Sequence, residues 1–176
     1  SDWKFNGWAK YKNHKNDNRV NTLIKKYYKS EIIKPHYKNK HIVLEGGAID
    51  VNGRGLLLTT KECLLSKIQQ RNSHLKKSDY NKIFNKYFGV DTVIWLNKGI
   101  EGDDTHGHVD DIARFVDHNK IFLAYEKNKK DKNYKKLNEN LKILKKNIRN
   151  GIDLKIEKIP MPKPIYINKT RVPASY

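Results

Sequence analysis

Two histidines, four aspartates and a glutamate crowd into residues 101–111, Glu-Gly-Asp-Asp-Thr-His-Gly-His-Val-Asp-Asp. Apolar Ile112, Ala113, Phe115 and Val116 follow at once, so the cluster runs into a buried element. Acid and imidazole beside a core serve two main ends: holding a cation or moving a proton. On an extended strand His106, His108 and Asp110 would share one face and offer a metal two imidazoles and a carboxylate. The same side chains in a loop suit proton transfer without a metal. A solvated acidic loop with incidental histidines is the plain alternative, and residue types alone leave all three open.

Glu45-Gly46-Gly47 is a second constellation. A glutamate after an apolar run, followed by two glycines, lets another backbone approach closely. A carboxylate there could orient a histidine and raise its basicity; otherwise it is a turn with a solvated acid. Cys63 is the single cysteine, set between Thr59-Thr60-Lys61-Glu62 and two leucines. It reads as a small buried core residue rather than a nucleophile, because no partner base adjoins it. One cysteine rules out an intrachain disulfide and a four-cysteine zinc site, and it fits a reducing compartment. His14, His36, His41, His74 and His118 are scattered among lysines and read as exposed.

These groups need elements to hold them. The 176 residues suit one domain or part of a larger one, and the 37% hydrophobic and 10% aromatic shares suffice for a packed core. The formal net charge is +18. That raises nucleic acid or an acidic membrane surface as a partner, but the lysines are spread along the chain among asparagines and read as solvated faces. No apolar run approaches the roughly 20 residues a membrane span needs. The N-terminal segment Ser1–Trp8 has no apolar signal-peptide region. Both ends read as cuts inside a longer chain.

Val20, Leu23, Ile24 and Tyr27, behind the capping residues Asn16 and Asp17, predict an amphipathic helix ending near Ser30. His41 to Leu44 predicts a buried strand. Ala48 to Val51 and Leu56 to Thr60, joined through Asn52-Gly53, predict a hairpin with a type I′ turn. Thr60 opens a short helix, and a longer one runs from near Ser78 to Gly89. Val90 to Leu96 predicts a strand, Ile112 to Val116 with Ile121 to Tyr125 a second hairpin, and Tyr134 to Ile148 a long helix stopped by Gly151. Ile152, Leu154 and Ile156 alternate as a strand, and Pro160, Pro162 and Pro164 lead to a last strand, Ile165 to Ile167. The result is an α/β chain in which hairpin, helix and strand occur twice over.

Five segments carry a resemblance: Asp2 to Trp8, Leu44 to Leu65, Val93 to Leu96, Gly102 to Val116 and Arg171 to Tyr176. In this order they are similar to the agmatine deiminase family, with its bacterial peptidylarginine deiminase branch, over nearly the whole chain. The resemblance implies a pentein-type propeller of ββαβ modules, with residues 1–176 a single-domain fragment holding its central modules. It implies hydrolysis of a guanidinium group to a ureido group with release of ammonia, through a cysteine thiolate and with no metal or organic cofactor. The implied substrate is agmatine, giving N-carbamoylputrescine in polyamine and putrescine synthesis in the cytoplasm. Peptidyl-arginine is the alternative substrate, and a basic nucleic-acid-binding module is a further alternative. No membrane or nucleic-acid partner is implied, and a homo-oligomer is left open.

Carried over by position, His108 matches the general acid/base and Glu45 its carboxylate partner. Asp110 matches a guanidinium-binding carboxylate, and Asp104 adds a substrate role in the same loop. His106 stands where many relatives are expected to carry aspartate. Cys63 matches a position that is not the nucleophile, and neither the nucleophilic cysteine nor a Trp-x-Arg-Asp motif occurs in these residues. The isolated 176-residue chain is therefore expected to be inactive; ureido product from pure material of this length would contradict that.

Overall fold

The computed structural model describes residues 15–29, 31–68 and 70–173. Asp2 to Trp8, His14, Ser30 and Ala174 to Tyr176 lie outside them.

Two three-stranded units carry the architecture. The first contains β3 (Ile49–Val51), β4 (Leu56–Thr60), α2 (Lys61–Leu65), α3 (Lys77–Phe88) and β5 (Thr92–Leu96). β3 pairs with β4 antiparallel, and β4 pairs with β5 in parallel with Leu58 opposite Ile94. The second contains β6 (Ala113–Asp117), β7 (Lys120–Tyr125), α4 (Lys132–Arg149) and β8 (Lys155–Pro160), in the same strand order and senses. Each unit is a hairpin, a helical crossover and a parallel strand, which is the repeat expected from the sequence. Pro160 ends β8 on an outer strand, where its missing N–H costs no ladder bond.

The period of two in β4 and β5 divides the core. Leu57 and Trp95 face Tyr80, Ile83 and Phe84 of α3, while Leu58, Ile94 and Leu96 face Leu137, Leu141 and Leu144 of α4. A sheet covered on both faces explains the unbroken Leu56-Leu57-Leu58 run. Helix α4 belongs to the second unit yet packs on the first sheet, so the two units share one core. Asp50 adds a polar tie between them by accepting from Phe115 N at 2.6 Å, and the Asn52 amide donates to His118 O at 2.6 Å.

Several local expectations shift. α1 spans Val20–Tyr28, but neither Asn16 nor Asp17 caps it through a side chain. Its apolar stripe is not buried: Val20, Leu23 and Ile24 are each more than 40% exposed and Tyr27 is 83% exposed. The stripe borders an open cavity of about 520 Å³ lined by Ile32, Ile33, Leu44 and Phe88. Ile42 and Val43 are buried as expected, but the strand there is a small hairpin, β1 (His36–Tyr37) with β2 (Lys40–His41). A matching hairpin, β9 (Tyr166–Ile167) with β10 (Thr170–Arg171), replaces the single last strand. Both turn through two residues of positive φ, Lys38-Asn39 and Asn168-Lys169. The expected type I′ turn at Asn52-Gly53 is instead a longer loop with positive φ at Gly53 and Gly55, and the Asn52 side chain accepts from Arg54 N and Leu56 N. Ile152 and Leu154 precede β8 rather than form it.

The helix ends follow from their sequence. Asp79 accepts from Lys76 N at 3.0 Å, which satisfies an orphan donor at the start of α3. That bond, with donors from Tyr37 and Lys38, pulls the Asp79 carboxyl down to about 2. Gly89 closes the helix in the left-handed region at φ 62°. Phe84→Ala should cost about 3–5 kcal/mol, because it empties the ring stack with Tyr80 and Trp95. Urea unfolding measures it, and a loss below 1 kcal/mol (a value about that of a surface change) would contradict the packing described.

Candidate active site

Glu45 sits in extended backbone directly before the Gly46–Ala48 turn. Its side chain is 5% exposed and takes three donors. Arg71 Nε reaches Oε1 at 2.9 Å and Arg71 Nη2 reaches Oε2 at 2.7 Å. His108 Nε2 lies 2.5 Å from Oε2. Burial alone would push this carboxyl up, but the bonds from His108 and Arg71 and the guanidinium charge outweigh it and hold Glu45 below the usual carboxylate range. An ionised carboxylate only accepts, so His108 donates Nε2–H, and in the neutral imidazole Nδ1 carries the lone pair. Nδ1 stands 3.9 Å from Asp110 Oδ1, on a carboxylate that is 37% exposed. One imidazole nitrogen is thus anchored in the interior and the other faces an accessible acid.

The loop that carries His108 is held from several elements. Glu62 of α2 accepts from Gly99 N at 2.8 Å, and Glu62 N donates to Asn97 O. Buried Asn133 and Asn140 of α4 hold Glu101 N and Asn97 N, each at 2.7 Å. Asp103 folds the loop on itself by accepting from Gly107 N at 2.6 Å and from both the backbone and the hydroxyl of Thr105. Thr60 caps α2 by accepting from Cys63 N, and its hydroxyl donates to Gly107 O at 2.5 Å. Gly47 O accepts from Val109 N at 3.0 Å, so the two glycine-rich segments touch directly. A Cβ on Gly47 would lie 2.4 Å from His108 Nδ1 and 2.7 Å from Asp110 Oδ2, which only glycine avoids.

Glu45, His108 and Asp110 therefore come together. Asp104 does not join them: it is exposed, and the loop network passes through Asp103 instead. The strand that would align His106, His108 and Asp110 does not form. His106 takes φ 62° in a turn, which breaks the alternation of faces. A different trio, Glu45, Cys63 and His108, has potential ligand atoms all within 4.8 Å of one another. Its chemistry opposes a metal, because Arg71 already places a fixed cation on both Glu45 oxygens and burial pushes the Cys63 thiol up to about 12. Cys63 is buried as expected, though its place within 4.8 Å of the Glu45–His108 pair was not. His36, His74 and His118 are exposed as expected, while His41 is half-buried.

Arg71 and Asn72 carry no weight in the sequence pattern. Yet Asn72 clamps Val43 from both sides, accepting from its N at 2.9 Å and donating to its O at 2.8 Å, two residues before Glu45. A signal existed in the choice of residue. Only six of the 37 basic residues are arginine, and a planar fork is what a buried carboxylate selects. Arg171 repeats the choice, placing Nη1 on both oxygens of Asp131 at 2.9 and 3.0 Å.

Glu45→Gln should cost about 3 kcal/mol at neutral pH, since it strands a buried guanidinium. The folded pKa of Glu45 is depressed, so its contribution is complete above the ordinary value of about 4.3 and fades as pH falls through the lower folded value. Urea unfolding of both proteins across about pH 3 to 7 should show the gap closing only on the acid side. A pH-independent gap would refute the ionised assignment. Gly47→Ala should cost about 1–3 kcal/mol in the same assay through the forced shift of His108 and Asp110.

A family model described as Porphyromonas-type peptidyl-arginine deiminase matches residues 1–176. An agmatine deiminase of Ectopseudomonas mendocina is 34% identical over 172 residues, covering 96% of this chain and 46% of that protein. A solved substrate-bound serine-for-cysteine variant of C. jejuni agmatine deiminase superposes with a TM-score of 0.84 at 36% identity, over 98% of this chain and 49% of that one. An Enterococcus faecalis agmatine deiminase gives 0.78 at 28% identity, over 99% and 50%. The chain spans about half the length of the curated relatives it matches.

Proposed function

The chain belongs to the Porphyromonas-type peptidyl-arginine deiminase family, and from that membership we propose that the whole protein hydrolyses the guanidinium group of agmatine to N-carbamoylputrescine and ammonia. The fold is that of the pentein propeller, with part of it present here as two ββαβ units. We read residues 1–176 as one continuous piece of a single propeller domain. The names of the relatives favour agmatine as substrate, and the description of the family favours peptidyl-arginine as the second reading.

The observation that carries the proposal is the polarised imidazole. His108 gives Nε2–H to ionised Glu45 and presents Nδ1 beside the accessible carboxylate of Asp110. A planar guanidinium pairs with such a carboxylate through its N–H groups, which brings its amino nitrogens toward Nδ1. A thiolate from outside these residues attacks the guanidinium carbon and forms a C–S bond. Protonated His108 gives its proton to the departing nitrogen as the C–N bond breaks, and ammonia leaves. Neutral His108 then takes a proton from water; the hydroxyl adds to the same carbon, the C–S bond breaks, and the adduct's O–H proton passes to ammonia or solvent, leaving a ureido group and free thiolate. Cys63 is set aside as that thiolate because burial keeps it a thiol.

The protein's positive charge repels a dicationic substrate at long range, so the carboxylates of residues 101–111 must dominate close to the site. No helix of the described residues is long and apolar enough to cross a membrane. A place in putrescine synthesis in the cytoplasm is part of the same proposal.

The full-length protein should release ammonia from agmatine in preference to a peptidyl-arginine substrate. His108→Gln should lower kcat by about 100-fold or more, while Cys63→Ala stays within about threefold of the parent. Turnover that survives in His108→Gln, or collapses in Cys63→Ala, would sink the assignment.

A further inference from the structure

The geometry points to Arg71 as a positioning residue for His108, acting through Glu45; this rests on the general acid/base role proposed above. The side chain of Arg71 is 2% exposed. Its fork uses two donors on Glu45, and Nη2 makes a further bond to Thr105 O at 2.8 Å. Oε2 of Glu45 is shared between Arg71 Nη2 and His108 Nε2, so the carboxylate plane set by the guanidinium also sets the direction in which the imidazole is held.

Three consequences follow from that sharing. The guanidinium keeps a buried carboxylate ionised, which burial alone opposes. An ionised carboxylate keeps the proton of neutral His108 on Nε2 and the lone pair on Nδ1, toward Asp110. The bond to Thr105 ties the same cation to the loop that carries the histidine, because His108 N lies 3.4 Å from the Thr105 hydroxyl. Arg71 thus holds both the partner of His108 and the backbone beneath it. Asn72 fixes the base of this arm by its two bonds to Val43. A lysine at position 71 would preserve the charge but reach only one oxygen at a time.

The test uses the full-length protein with agmatine, together with ¹⁵N-histidine and ¹⁵N-arginine spectra. Arg71→Gln should lower kcat by about 10- to 100-fold with KM within about threefold. It should also raise the acid limb of the pH–rate profile, as Glu45 loses the cation that depresses it. Arg71→Lys should keep the limb in place and recover part of kcat. A purely structural arginine would lower the unfolding midpoint or the yield of active protein and leave profile and tautomer unmoved; that outcome overturns the proposal.

The unsubstituted protein supplies an arm that needs no variant to fold. Neutral His108 should carry its proton on Nε2, and the Arg71 Nε–H signal should shift as His108 titrates, since both share Glu45. A proton on Nδ1, or an Arg71 signal indifferent to His108, refutes it. These spectra report the positioning even if no guanidino substrate is turned over. Absence of turnover by the unsubstituted protein would instead refute the functional reading alone.

Discussion

A buried carboxylate with three donors organises this molecule. Glu45 has left water, and an isolated ion there would cost several kcal/mol or simply take a proton. It stays charged because a guanidinium fork and an imidazole N–H converge on it. Those donors come from distant parts of the chain: Arg71 from the connection between α2 and α3, His108 from the loop between β5 and β6. To satisfy one acid, the protein must bring three segments into register. The supporting contacts serve that end: Asn72 on Val43, Thr60 on Gly107 and Gly47 O under Val109.

The second constraint is space. Gly47 lies where any side chain would strike His108 and Asp110. Contact this close leaves the imidazole little freedom. It also separates two carboxylates by environment. Glu45 is closed off and paired, and Asp110 is more open to solvent. Two acids on either side of one imidazole thus lie in different environments.

Electrostatics act at two scales. The chain is strongly basic, yet its acids concentrate where the site lies. Some are already committed: Glu101 is held by Lys132 and Lys136, and Asp103 by its own loop. Others, such as Asp104 and Asp110, retain exposure and set the local potential. Screening over about 8–10 Å at physiological salt weakens the field of exposed lysines that lie farther away than that.

Periodicity made the two repeated units legible, because each strand and helix carries its own pattern of burial. Leu56 to Thr60 read as one arm of a hairpin, and Leu137, Leu141 and Leu144 as one helix face. Glu45, His108 and Asp110 were also legible, since motif and residue type marked them. What the order of residues could not supply was distance. Arg71 looked like one more cation in a lysine-rich chain, Asp104 looked like a lesser member of the loop that carries Asp110, and His106 looked aligned with His108. Those questions turned on backbone angles and on which loops meet. Turn conformation is chosen by neighbours as much as by residue type, which is why Lys38-Asn39 rather than Asn52-Gly53 makes the tight turn. Sequence by itself determined the elements and the chemistry available, through local propensity and burial pattern. Tertiary structure alone decided which charges share a carboxylate, because that depends on contacts between residues far apart in the chain.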